Sequence, residues 1–84
     1  MATFIVEKTD EFLKIFSKIK DKLFQEKVLR QINKIIQNPE LGKPMRYARK
    51  GTREVYIFPF RLSYLYIKNE NKIIFLDLYH KDKQ

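Results

Sequence analysis

Two side chains in the second half of this 84-residue sequence are equipped to act on an anion. Arg61 stands inside the aromatic and aliphatic run "FPFRLSYLY", and the only histidine, His80, closes "LDLYH". A guanidinium presents a planar fork of donors that fits phosphate or carboxylate. An imidazole titrates near neutral pH, with an unperturbed pKa of about 6.5, and so can give or take a proton. Glu54, in "TREVYIF", supplies a carboxylate that can serve as a base. A dry, unpaired cation on a strand is costly, so Arg61 must reach solvent, an internal carboxylate such as Glu54 or Asp77, or a bound phosphate.

For Arg61 and His80 to act together, their strands must present them on one side. After Pro44 the apolar residues change from a period near 3.6 to a period of 2, and strands are read at about Lys43–Tyr47, Arg53–Phe58, Phe60–Ile67 and Lys72–His80. The connections "ARKG", Pro59 and "KNEN" are short, which predicts antiparallel hairpins. With a two-residue turn at Phe58–Pro59, Tyr56 pairs with Arg61. With an even loop at "KNEN", Arg61 shares its face with Ile74, Leu76, Leu78 and His80. The expected site surface therefore carries Thr52, Glu54, Tyr56, Arg61, Ser63 and His80. The opposite surface carries Val55, Ile57, Leu62, Tyr64, Tyr66, Phe75 and Tyr79, and Tyr79 is assigned to the core. An odd loop or a bulge reverses this assignment.

The first half supplies the scaffold. "TFIVEK" reads as a short strand, and Thr9 or Asp10 can cap a helix through "DEFLKIFSKIK", whose apolar residues fall at helical spacing. A second helix over Lys22–Gln37 carries the stripe Phe24, Val28, Ile32, Ile35 and Ile36, and "NPELGKP" ends it. The predicted order is β-α-α-β-β-β-β: an α+β fold in which one antiparallel sheet is covered on one face by a helical hairpin, with residues 1–84 forming a single domain.

Hydrophobic residues make up 44% of the chain, enough for a folded core. The net charge is +8, and the excess lies in residues 43–84, where ten Lys/Arg face four Asp/Glu. Four arginines, Arg46, Arg49, Arg53 and Arg61, cluster there, which points to a polyanionic partner. Tyr56 can stack on a nucleobase, and Arg49, Lys50, Arg53, Lys81 and Lys83 join it as candidate nucleic-acid-binding residues, an RNA partner being what the resemblance described below implies. The absence of cysteine removes thiolate chemistry and disulfides, and a single histidine leaves no histidine-rich metal site. No cofactor is expected. No apolar run approaches the roughly 20 residues of a membrane span, and no signal peptide is visible, so a cytoplasmic protein with no membrane association is expected.

With "NPELGKPMRY", "FRLSYLY" and the terminal "LDLYHKDKQ" following a strand and a helical hairpin, the sequence resembles the RelE/ParE superfamily of toxin-antitoxin toxins along essentially its whole length. The resemblance implies a ribosome-dependent mRNA endonuclease held inactive by an acidic antitoxin, with operator DNA reached only through that antitoxin. In such enzymes a base takes the proton of an RNA 2′-hydroxyl, which attacks the adjacent phosphate to leave a 2′,3′-cyclic phosphate. An arginine stabilises the phosphorane, and an acid protonates the departing oxygen. Arg61 matches the phosphate-binding arginine of the family's "yRlvY" strand, and His80 matches the terminal histidine of the YoeB-like branch. Thr52 and Glu54 stand in the region where RelE-like enzymes carry lysines, and Met45 stands where YoeB-like enzymes carry a glutamate, which leaves His80 or Glu54 as the base. The alternatives are a ParE-like toxin that inhibits gyrase and a catalytically inactive binding module of the same fold.

Overall fold

The computed structural model describes residues 3–45 and 51–82. Its elements run β1 (Ile5–Lys8), α1 (Asp10–Lys18), α2 (Lys22–Gln37), β2 (Lys43–Pro44), β3 (Thr52–Ile57), β4 (Phe60–Ile67), a 3-10 turn (Lys68–Glu70) and β5 (Lys72–His80). The order of elements and the bounds of α2, β4 and β5 agree with those expected from periodicity. The strand expected over Lys43–Tyr47 is described only as far as its first residues, because Arg46 and Tyr47 lie outside the described region.

Both helices start where the sequence provides an acceptor for their free N–H groups. Thr9 caps α1 through its Oγ1, which accepts from Phe12 N at 3.1 Å, and Asp21 caps α2 by accepting from Leu23 N at 3.0 Å and Phe24 N at 3.3 Å. Gln25 Nε2 donates to Ile19 O at 2.6 Å and ties the two helices together at their junction. The apolar stripes then fall on one side: Phe12, Val28, Ile32 and Ile35 meet Ile57, Leu62, Tyr64, Ile73, Phe75 and Leu78 from the sheet in one buried core. No described helix is long and apolar enough to cross a membrane.

The sheet has the order β1-β5-β4-β3-β2. From β2 to β5 each strand pairs antiparallel with the next, as their short connections require, but β1 pairs parallel to β5, so the sheet is mixed rather than wholly antiparallel. Loop length fixes direction only between consecutive strands. β1 and β5 are joined by nearly the whole chain, and nothing local sets their sense.

The loop between β4 and β5 is even, with Ile67 opposite Lys72, yet the register shifts further along. Tyr64 lies opposite Phe75 whereas Ser63 lies opposite Asp77, so Leu76 is an extra residue in β5. This bulge is tied to the start of α1: Thr9 N donates to Phe75 O at 3.0 Å, and Thr9 Oγ1 donates to Leu76 O at 2.6 Å. One hydroxyl therefore caps a helix and satisfies a carbonyl at a break in the β4–β5 ladder.

Tyr64 performs a similar service at the other end of the sheet. It is fully buried, its hydroxyl accepts from Gly42 N at 2.8 Å and donates to Pro39 O at 2.8 Å, and so it pins the turn after α2 to the core. A side chain at Gly42 would meet that hydroxyl at 2.7 Å. Burial pushes the Tyr64 phenol above its ordinary value, against the opposing effects of the Gly42 N–H and nearby Arg53.

Two outcomes follow for stability in urea. Thr9→Val should cost about 1–3 kcal/mol by removing both bonds, with Thr9→Ser restoring most of it. Tyr64→Phe should cost about 1–3 kcal/mol at neutral pH. The folded state holds the Tyr64 proton more tightly than the unfolded state, so stability falls as pH rises through about 10, and Tyr64→Phe should make that fall shallower.

Candidate functional site

The bulge at Leu76 decides which side chains meet. Arg61 lies opposite Tyr79, and Phe60 lies opposite His80. Directly opposed residues share a face, so Arg61 and Tyr79 project from the side turned away from the helices, while His80 projects with Phe60 on the helix side. The expectation that Arg61 and His80 share a surface is therefore corrected, together with the placement of Leu78, which is buried in the core opposite Leu62. Tyr79, assigned from parity to the core, is on the Arg61 face. All three reversals have the single cause named above, one added residue in β5, beyond which every side chain changes sides.

On β3 and β4 the expected register holds: Tyr56 pairs with Arg61, Glu54 with Ser63 and Thr52 with Leu65. The face away from the helices thus brings together Glu54, Tyr56, Arg61 and Tyr79. Glu54 is its electrostatic centre. Its side chain is only 5% exposed, and its Oε1 lies 3.6 Å from Arg61 Nη1, whose side chain is 36% exposed. The Tyr79 hydroxyl donates to the second carboxylate oxygen, Oε2. A carboxylate can be held this deep only with such partners. Of the resting places open to Arg61, an internal carboxylate is the one occupied, and it is Glu54. The Arg61 Nε is buried and has no acceptor among the described residues, and it is the 36% exposure of the side chain that leaves the guanidinium accessible to another anion. Its carbon also sits 5.8 Å from the centre of the Tyr56 ring.

The remaining candidates fall in different places. Lys81 is exposed at the end of β5, where its backbone N donates to Pro59 O at 3.0 Å and its ammonium lies 5.8 Å from the centre of the Phe58 ring. Arg53 pairs with Tyr64 and projects to the helix side, where Nη1 donates to Gly42 O at 2.8 Å and Glu40 O at 3.1 Å. Its guanidinium ties down the same turn that Tyr64 holds, away from Arg61. His80 packs edge-on against Phe60 at 5.5 Å, and its Nδ1 accepts from Asp82 N at 3.2 Å. Phe60 in turn lines a cleft of about 420 Å³ whose apolar wall is Ile15, Ile19, Phe24 and Pro59 and whose charged lining is Lys18, Lys20 and Asp21, on the other side of the sheet from the Glu54 carboxylate. Arg49, Lys50 and Lys83 lie outside the described residues.

Chemically, the Arg61 face offers a partly exposed cation, a carboxylate base and a phenol hydrogen-bonded to that base. Sequence reasoning found the first two and missed Tyr79. No local signal marks it, because the bulge that turns Tyr79 to this face is held by Thr9, 67 positions away.

Comparison with known proteins agrees with this architecture. The family model described as the ParE toxin of the type II toxin-antitoxin system parDE matches residues 6–84. Among solved structures, the isolated RelE toxin of E. coli superposes with a TM-score of 0.80 at 11% identity, covering 98% of this chain and 88% of that one. The RelBE2 toxin-antitoxin complex of Mycobacterium tuberculosis gives 0.79 at 20% identity, covering 95% and 100%. A YoeB/ParE toxin from Agrobacterium tumefaciens gives 0.79 at 15% identity, covering 92% and 98%. At these identities the likeness to the solved structures is one of fold. No curated protein sequence matches.

The Glu54–Arg61 contact sets a measurable coupling. In a double-mutant cycle of Glu54→Gln and Arg61→Met followed by urea denaturation, Arg61→Met alone should cost about 1–3 kcal/mol by leaving the carboxylate short of its cation. The same change made in the Glu54→Gln background should cost less by at least about 0.5 kcal/mol.

Proposed function

The chain belongs to the ParE toxin family of type II toxin-antitoxin systems, and on that premise we propose that it is a toxin that cleaves messenger RNA on the ribosome and is restrained by an acidic antitoxin. The observation that carries this reading is the convergence of Arg61, Glu54 and Tyr79 on one face of the sheet. Cleavage by an internal nucleophile asks for little more: a cation for the phosphate, a base and an acid.

In the proposed reaction the Arg61 guanidinium binds the scissile phosphate and stabilises the extra negative charge of the phosphorane. The Glu54 carboxylate takes the proton of the 2′-hydroxyl, whose oxygen then bonds to phosphorus. The bond from phosphorus to the 5′ oxygen breaks, and that oxygen receives the Tyr79 phenolic proton. The products are a 2′,3′-cyclic phosphate and a free 5′-hydroxyl. Transfer of the captured proton from Glu54 to Tyr79 along their hydrogen bond restores the starting state. His80 takes no part in this scheme, because it issues from the other face.

Support for an antitoxin comes from charge, +8 on this chain, and from the structural likeness to a toxin solved in complex with its antitoxin. An acidic segment would neutralise the same field that attracts RNA. Lys81, exposed after β5, and Arg49, Lys50 and Lys83, which lie outside the described residues, remain candidate phosphate contacts.

A second reading, a ParE-like toxin acting on gyrase, is favoured by the family model and by one feature of the site. The Arg61 charge already has a partner in Glu54, so a phosphate must compete with that carboxylate for the guanidinium. Primer extension on message in a translating extract separates the two. Cuts inside ribosome-occupied codons should fall by about a hundredfold or more in Arg61→Ala, Glu54→Gln and Tyr79→Phe, and persist in His80→Ala. Intact message together with loss of DNA supercoiling would select the gyrase reading. Cleavage abolished by His80→Ala but retained by Tyr79→Phe would overturn the assignment of the acid.

A further inference from the structure

We infer that the rings of Tyr56 and Phe58 form a stacking shelf for a nucleobase beside the phosphate held by Arg61, so that single-stranded RNA is bound by base stacking as well as by charge. This rests on the RNA-cleaving reading and adds a subsite to it.

The observation is an exposed aromatic pair in a chain whose other described aromatic residues are buried or half-buried. Tyr56 is 53% exposed and Phe58 63% exposed, whereas Phe12, Tyr64 and Phe75 are buried completely or nearly so. The two rings lie nearly parallel, 6.2 Å apart with planes 16° from each other, and they follow one another at the end of β3 and in the turn before β4. Each has a cation near it: Arg61 at 5.8 Å from the Tyr56 centre and Lys81 at 5.8 Å from the Phe58 centre. The Lys81 backbone is fastened to the turn by its bond to Pro59 O.

This combination discriminates between ligands. An apolar peptide segment gains nothing from two cations lying over the rings and would lose part of their hydration. A nucleic acid strand uses both components, because its bases present π faces to the rings while its phosphates meet the cations. Stacking accepts any base, so the shelf would supply affinity and registration with little sequence preference. Its place beside Arg61, one strand pairing away in the Tyr56–Arg61 register, would set which base lies next to the scissile phosphate.

The chain contains no tryptophan, so Phe58→Trp installs a single indole at the shelf, in an exposed turn where the core is untouched. The probe is a 2′-O-methyl RNA hexanucleotide, which cannot be cleaved by internal attack. It should quench the indole saturably. By a competition assay, Phe58→Ala should bind the same oligonucleotide roughly tenfold more weakly, with the salt dependence of binding unchanged, whereas Arg61→Ala should make that salt dependence shallower by about 0.7 in slope. Phe58→Tyr should bind as the native chain does. Binding that leaves the indole unmoved, unchanged affinity in Phe58→Ala, or no binding at all would each overturn the shelf, as would a Phe58→Ala defect confined to an acidic antitoxin peptide. Failure of the nuclease reading alone looks different: the indole is quenched and message stays intact. Failure of the shelf alone leaves cleavage by Phe58→Ala with an unchanged KM.

Discussion

The disposition of this molecule's reactive groups depends on one hydrogen-bonded irregularity, the extra residue Leu76 in β5 and the Thr9 hydroxyl that holds its carbonyl. A bulge leaves backbone groups outside the ladder, and such groups are costly inside a packed sheet unless something else bonds them. Thr9 does so while also capping α1, so the helix start, the end of β1 and the bulge are fixed relative to one another. The consequence reaches the end of the strand. Tyr79 is delivered to the face that carries Arg61 and Glu54, and His80 is delivered to the helix side, against Phe60.

On the site face a second constraint takes over. A carboxylate as buried as that of Glu54 requires compensation, and it receives it from a cation in β4 and a phenol in β5. The three strands β3, β4 and β5 each contribute one member, so the ladder itself sets the geometry of the group and no flexible loop is involved. The same arrangement gives the proposed chemistry its character. Arg61 is held in place before any substrate arrives, which favours a preorganised site, yet its charge is shared with Glu54, which tempers its pull on a phosphate. The exposed rings of Tyr56 and Phe58 offer binding energy that does not draw on that shared charge.

Most of this fold could be read from residue patterns, because the patterns were local. Helical spacing and the caps Thr9 and Asp21 located the helices, and period-2 alternation with the Pro59 turn gave the Tyr56–Arg61 register directly. The facing of β5 beyond Phe75 could not be read that way. A bulge leaves the alternation of residue types nearly intact while inverting its meaning, and the residue that stabilises it lies 67 positions away in sequence. The parallel pairing of β1 with β5 was hidden for the same reason, since no short connection joins them. Arg53 shows another limit of composition: its charge suggests a nucleic-acid contact, and the structure adds what composition does not carry, that its guanidinium donates to the carbonyls of Glu40 and Gly42.

The central claim is that the sheet face bearing Arg61, Glu54 and Tyr79, rather than the side bearing His80, receives the RNA backbone. It is tested most directly by NMR, following side-chain and backbone resonances of the chain while a non-cleavable single-stranded oligonucleotide is added. The account predicts saturable shifts centred on Glu54, Tyr56, Arg61 and Tyr79, with the His80 imidazole and the Phe60 ring unmoved. Shifts centred on His80, Phe60 and the cleft between α1 and the Pro59 turn, with the Arg61 and Tyr79 signals unchanged, would contradict it.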